Sequence, residues 1–480
     1  MNETQSEGAT GKQSRNTRSW RTDRVLVALM LLATLFGLIY NGVIRLGYGP
    51  DEGRHMNYVK LLYNEHTLPY QEPDPNNIGQ VKEHGDAHTF HPPLYHLLFV
   101  PFYAVLRLMP GESEWHVLRV LSLLLCVGAL PLFYEVALRA GGGDRWLARL
   151  VTAQVALLPI FGMTAGIINN DSATLFAVAV FLWLLVVRYA THSSFKSAAV
   201  LGVCMGLGGL CKATALLCDG VALLAYLWIQ AGRPAVRTRV MRTRLIGCVA
   251  VTLGIAFLLV LPWHLRSFNL YGTWTPLPPP MPSPALPAPS NGALVIILHE
   301  NFPLHFWWAN WGLFYTLWSQ RDWLLQRASS SVALQPAQLA IYLLLLLYSV
   351  AALVGTLVAR RKTQPSSDLE LAQDVEIGAV TDSQLAQRIA LWGSYGAFIA
   401  TWLTVLQVAL FMHWGWAEGG RYLGPGLVGF SIFLARGWRG LVGTQRLKWV
   451  FFGWSAAFVM LNLTCIGWIV FYLNPTHAPQ

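Results

Sequence analysis

Three observations predict an all-α integral membrane protein, a bundle of about eleven transmembrane helices with juxtamembrane helices in its first extracytoplasmic loop. The first is composition. Of 480 residues, 54% are hydrophobic and only 12% charged, with a mean hydropathy of +0.43; soluble domains carry about 25% charged residues. The second is the length of the apolar runs, which recur at roughly 20 residues, enough for a helix to cross a hydrocarbon core. The third is the clustering of Lys and Arg in alternate loops, as on the cytoplasmic side of membrane proteins. That clustering accounts for the net charge of +10 without nucleic acid as a partner.

Taken in order, residues 1–24 form a basic tail with Lys12, Arg15, Arg18, Arg21 and Arg24, expected in the cytoplasm. No small-residue cleavage site follows, so the next apolar run reads as an uncleaved first helix. Residues 25–480 read as one polytopic domain. Its expected spans are 25–45, 117–138, 149–168, 172–190, 197–211, 214–230, 245–263, 337–358, 389–411, 421–436 and 449–472.

The stretch "PPLYHLLFVPFYAVL" at 92–106 decides which way the later loops face. If it lies along the outer interface, the basic loops 231–244 and 436–448 and the cluster Arg360, Arg361 and Lys362 all fall inside. If it crossed, all three would face out. Its prolines and short length agree with the interfacial reading. The same parity requires 197–211 and 214–230 to be separate spans.

Residues 46–116 are then the first extracytoplasmic loop. Residues 264–336 form another, Pro-rich at 276–290 and carrying Trp307, Trp308, Trp311, Trp318 and Trp323, which suit the headgroup zone. The cytoplasmic loop 359–388 is acidic and Ser/Gln-rich beyond Lys362 and reads as a connector. Six cysteines lie scattered in apolar segments, form no CxxC pair, and read as small core residues.

This topology collects the unusual charged and polar residues at or near the outer face: Asp51, Glu52, Arg54, Asn169, Asn170, Asp171, Lys212, Arg266, Glu418 and Arg421. In "YGPDEGRHMNYVKLLYNE", residues 51–65 can form an amphipathic helix with Met56, Val59, Leu62 and Tyr63 on one face. Asp51 stands near its start, a site that suits a plain helix cap as well as a reactive carboxylate. "GIINNDSATLF" sets Asp171 between two spans, again either a capped turn or an acidic site. In "LGGLCKATALL", Lys212 sits at a helix break among apolar residues, where it must snorkel or find a partner.

Histidines are dense in the first loop: His55, His66, His84, His88, His91 and His96. The spacing of His84, His88 and His91 would suit a metal on a helix. Gly85 and the polar surroundings oppose a helix there, so no metal ligand is assigned. No cofactor is required by these residues, and a divalent ion is compatible with them.

An enzyme working outside the membrane has no ready nucleotide-sugar supply, whereas a polyprenyl-phosphate sugar arrives through the bilayer. Transfer from it needs a carboxylate to take the acceptor proton. It also needs cations for the phosphate leaving group. The outer face offers both.

The motifs "PDEGRHMNYVKLL", "HPPLYHLL", "VLRVLSLLL", "NNDSATL", "GLGGLCKATALL", "PWHLRSFNLYG" and "GGRYLGPGL" follow one another in an order that resembles the GT-C superfamily of membrane glycosyltransferases. The similarity is to its protein mannosyltransferase, aminoarabinose transferase and Rgt-like branch, from residue 25 to about 435. It implies that Asp51 is the catalytic carboxylate, that Asp171 is the second acidic site, and that Gly420, Arg421 and Tyr422 form the late Gly-Arg-Tyr. His91 stands where the family often has Lys before Pro-Pro.

The expected activity is inverting transfer of a sugar from a polyprenyl-phosphate donor to a hydroxyl of a glycan, lipid or protein. Asp51 is the expected base. Glu52, Asp171 and His91 are expected to orient sugar or acceptor. Lys212, Arg266, Arg421 and Arg54 are candidates for the donor phosphate. The protein is expected in the plasma (inner) membrane among its lipids, N-terminus inside and active site outside. The alternative is a flippase of lipid-linked sugars, which should show repeated halves and polar residues deep in the bundle. Only Asp219 and Glu135 lie mid-span, and no repeat is visible.

Overall fold

A computed structural model describes residues 23–73, 81–109, 112–190, 194–233, 236, 238–274, 336–363, 381–411 and 422–472. Most of the basic tail, the Pro/Trp-rich part of the 264–336 loop, the middle of the 359–388 loop, and Glu418 and Arg421 lie outside these residues. In chain order the helices are α1 (Arg24–Val43), α2 (Glu52–Asn64), α3 (Leu94–Leu106), α4 (Ser113–Ala140), α5 (Arg145–Ala156), α6 (Pro159–Ala165), α7 (Asp171–Trp183, running on to Arg188), α8 (Phe195–Cys211), α9 (Ala213–Ala231), α10 (Arg239–Tyr271), α11 (Pro336–Thr363), α12 (Asp382–Phe411) and α13 (Leu427–Tyr472). A short antiparallel hairpin, β1 (Gln71–Pro73) with β2 (Val81–Glu83), lies between α2 and α3 and pairs Gln71 with Glu83.

Each expected span overlaps helix among the described residues. Among the described residues, seven helices are long and apolar enough to cross a membrane, or eight if α5 and α6, bent by 63°, form one broken span. The last two expected spans run together in α13, which bends at Gly443, where φ is 75° and ψ 168°. A positive φ is cheap for glycine alone. At 13 residues α3 reaches only about 20 Å, short of a hydrocarbon core of about 30 Å, and it contains Pro101. Lys212 is in extended conformation (φ −165°, ψ 138°) and divides α8 from α9, as the loop charges required.

Glycine lets the helices approach closely. A Cβ on Gly202 of α8 would stand 2.6 Å from the Thr252 carbonyl oxygen of α10, and one on Gly206 would stand 2.7 Å from Leu259. Gly429 of α13 meets Ser394 of α12 in the same way. Between lipid-embedded helices such small-residue contact replaces the hydrophobic drive available in water. Leu31, Leu258 and Leu344 remain exposed on α1, α10 and α11, as lipid-facing residues do.

Polar latches mark the two ends of the bundle. At one, Asp23 caps α1, accepts from Tyr134 Oη at 2.6 Å and pairs with Arg149 at 3.1 Å, while Arg439 pairs with Asp144 at 3.6 Å. The first loop and the gathered charges occupy the other.

Candidate active site

The site begins with the turn before α2. Gly47, at φ 72°, and Gly49 present their N–H groups to Glu52 Oε2 at 3.1 and 3.3 Å. A Cβ on Gly49 would stand 2.8 Å from Ile167, so the turn accepts no side chain there. Glu52 is fully buried. Arg119 of α4, equally buried, grips it with Nε and Nη2 at 2.7 Å each, and Ile168 N–H adds a bond at 3.0 Å. The remaining Arg119 donors hold the carbonyls of Asn41, Ile44 and Arg45.

Glu52, expected to orient sugar or acceptor, is therefore the brace that ties α2 to α1, α4 and the α6–α7 turn. Both its oxygens are engaged by these donors. The sequence signal for its partner was the single arginine within "VLRVLSLLL", whose role was not foreseen.

Asp51 occupies the cap position of α2 but makes no cap bond with its side chain. Its φ is 58° and ψ 4°, left-handed backbone that a non-glycine residue adopts at a cost. The helix-cap explanation thus does not describe it. Its carboxylate is partly exposed, with Oδ1 3.6 Å from His88 Nε2.

Asn169 joins this turn to the second acidic site. Its Nδ2 donates to the Pro50 carbonyl at 3.2 Å, and its Oδ1 accepts from Asp171 N–H at 2.8 Å. Asp171 and Lys212 are both buried and form a direct ion pair. The Lys212 ammonium also lies 4.6 Å from the Tyr422 ring centre, so the residue after Arg421 is drawn to the same place. Lys212 has a partner rather than a route to solvent.

The other predicted cations serve different contacts. Arg54 pairs with Glu83 at 2.9 Å and Asp86 at 3.4 Å, fastening α2 to the loop after β2. Arg266 donates from Nη2 to the Leu68 and Pro69 carbonyls at 3.1 and 2.8 Å, fastening α10 to the first loop.

His91 is 9% exposed and stacks on His55, with centroids 5.3 Å apart. His55 Nδ1 lies 2.9 Å from His96 Nε2, and His88 stands edge-on to both His55 and His91. Burial, then the neighbouring rings, lowers the basicity of His55, His91 and His96 well below that of free imidazole, keeping them neutral. His84, expected with this group, is instead bonded to Glu65 at 3.0 Å and Glu72 at 3.3 Å.

Residues 107–270 match the sequence profile of the dolichyl-phosphate-mannose-protein mannosyltransferase family. The chain resembles the GT-C glycosyltransferases, as its motif order implied. The matched segment contains Arg119, the Asn169–Asp171 turn, Lys212 and Arg266; Asp51 and the histidines precede it.

Among solved structures, the Archaeoglobus fulgidus oligosaccharyltransferase tethered to an acceptor peptide aligns at a TM-score of 0.49 and 12% identity, over 94% of this chain and 55% of its own. The oligosaccharyltransferase AglB of the same organism, in complex with an inhibitory peptide and dolichol-phosphate, gives 0.47 and 12%, over 96% and 57%. ArnT from Cupriavidus metallidurans bound to undecaprenyl phosphate gives 0.34 and 15%, over 87% and 77%. The chain spans little more than half the length of the oligosaccharyltransferases it aligns with. No curated protein matches it.

Proposed function

We propose that the protein is a GT-C glycosyltransferase that moves a sugar from a polyprenyl-phosphate donor to an acceptor hydroxyl at the extracytoplasmic face of the plasma membrane, with inversion. The observation that carries this reading is the placement of Asp51. A carboxylate in left-handed backbone is braced by the Glu52–Arg119 pair and linked through Asn169 to a buried Asp171–Lys212 pair. Strained backbone persists where surrounding structure over-determines it, and that occurs chiefly at functional sites.

In the proposed reaction the acceptor oxygen attacks the anomeric carbon while the carbon–oxygen bond to the lipid phosphate breaks. Asp51 takes the acceptor proton. Lys212 is assigned to the phosphate that leaves, as the motif resemblance also assigns Arg421, and Asp171 holds the Lys212 ammonium in place until the donor arrives. Arg266, Arg54 and Glu52 act one step back, by fixing the first loop on the bundle. His91 lines the acceptor side.

The test is sugar transfer by purified Asp51→Asn protein, measured beside binding of a donor analogue. Loss of a general base typically costs 10²–10⁴-fold, about 3–5 kcal/mol of barrier. Donor binding should persist because the cations remain. Transfer at near the parental rate would remove Asp51 from the chemistry. Normal transport of a lipid-linked sugar without transfer would favour the flippase.

A further inference from the structure

The first loop holds a histidine cluster of which the proposed reaction uses only His91. His55 comes from α2, while His88 and His91 come from the loop before α3. Each of the three offers one ligand nitrogen, and these nitrogens lie within 4.8 Å of one another. Simple aromatic packing would account for most of the cluster, since His55 stacks on His91 and His96 stacks on Tyr58 at 3.8 Å.

It does not account for His88. That ring is 3% exposed, and among the described residues neither nitrogen has a hydrogen-bond partner. An imidazole always carries at least one N–H or lone pair to satisfy, and leaving such a group buried and unmet costs about 1–3 kcal/mol. The nearest acids are too far to hydrogen-bond: Asp51 is 3.6 Å from Nε2 and Glu83 is 3.9 Å from Nδ1. Glu83 is already held by Arg54 and by the N–H and hydroxyl of Thr89.

We propose that His55, His88 and His91 form a site for a divalent transition-metal ion of the zinc class, with its fourth position open toward Asp51. Three imidazoles and a vacant position are the ligand set of reactive rather than structural zinc centres. Two nitrogens on one tetrahedral ion stand about 3.3 Å apart, so the widest separation here must close by roughly 1.5 Å. His96 supplies the outer support. Its Nε2 engages His55 Nδ1, which leaves His55 Nε2 for the metal and fixes the ring plane.

Lys212 is the cation that would oppose an ion near His55 and His91, and its charge is matched by Asp171. An acceptor hydroxyl bound at the open position would become more acidic, and Asp51 stands where its proton would go. That role rests on the transferase reading; metal binding does not.

The experiment uses full-length protein purified without a histidine tag, stripped with a chelator and titrated with Co²⁺. The parent should take up about one ion per chain and show the visible absorption of low-coordinate cobalt. X-ray absorption of the zinc-loaded parent should count three imidazoles. His88→Gln and His91→Gln should each weaken binding by at least 10–100-fold. His84→Ala, whose side chain is bound to Glu65 and Glu72, should bind as the parent does.

No uptake by the parent overturns the site, as does a zinc shell without three imidazoles or undiminished binding in both variants. Uptake without sugar transfer supports the site and tells against the transferase reading. Transfer by a parent that takes up no metal does the reverse.

Discussion

Asp51 and Glu52 are adjacent in the chain and opposite in environment. Glu52 is fully buried and its carboxylate is engaged by Arg119 and three backbone N–H groups, while Asp51 is partly exposed beside the histidines. Breaking a buried ion pair strands the other charge, at about 3–5 kcal/mol. Glu52→Ala and Arg119→Met should therefore each lower the unfolding temperature sharply and reduce the yield of folded protein. Asp51→Asn should leave the unfolding temperature near the parent's, because Asn keeps the shape of the side chain and no buried ion pair is broken. Thermal unfolding in detergent reads both. A stable Glu52→Ala protein would deny Glu52 its bracing role.

At the scale of elements, the first loop is assembled from α2, the β1–β2 hairpin and α3 around a buried apolar cluster that includes Met56, Val59, Tyr95 and Phe99, with ion pairs fastening the hairpin at its rim. His84 is one of its fasteners. Its bond to Glu65 first, and to Glu72 second, raises its basicity above the ordinary imidazole value of 6.5. A group whose proton is held more tightly in the folded state contributes its full stabilisation below the unfolded value. That contribution fades as pH rises through the folded value. Hydrogen-exchange protection in 81–86, corrected for intrinsic rates, should fall as pH rises above the ordinary imidazole value, and His84→Ala should remove the dependence. Protection unchanged across that rise would show that the hairpin does not rely on His84.

For the molecule as a whole, the proposed orientation rests on the separation of the two polar ends. One end carries Asp23–Arg149 and Asp144–Arg439; the other carries Asp51, Asp171 and Lys212. With the native cysteines replaced, a cysteine at Glu65 should react with an impermeant reagent from outside, and one at Arg446 only from the cytoplasm. Both positions are exposed. Reaction of both from the same side would contradict the proposed topology and separate Asp51 from an extracytoplasmic donor.

Composition and apolar periodicity alone determined the helical class and where the described helices fall, because crossing a hydrocarbon core imposes length and charge rules that can be counted along the chain. The break at Lys212 was legible for the same reason. A lysine among apolar residues is costly unless something answers it.

Only the tertiary structure decided what answers it. Asp171 precedes Lys212 by 41 residues, and Arg119 follows Glu52 by 67, separations over which no local pattern reports a contact. The same distance rule separated His84 from the other histidines. Spacing along the chain grouped it with His88 and His91, but Gly85 turns the backbone at φ 66° and hands His84 to Glu65 and Glu72. His55 takes its place from a different helix. Charge along one chain predicts which face is polar; which charge is buried, paired or left facing a ligand is settled where separate helices meet.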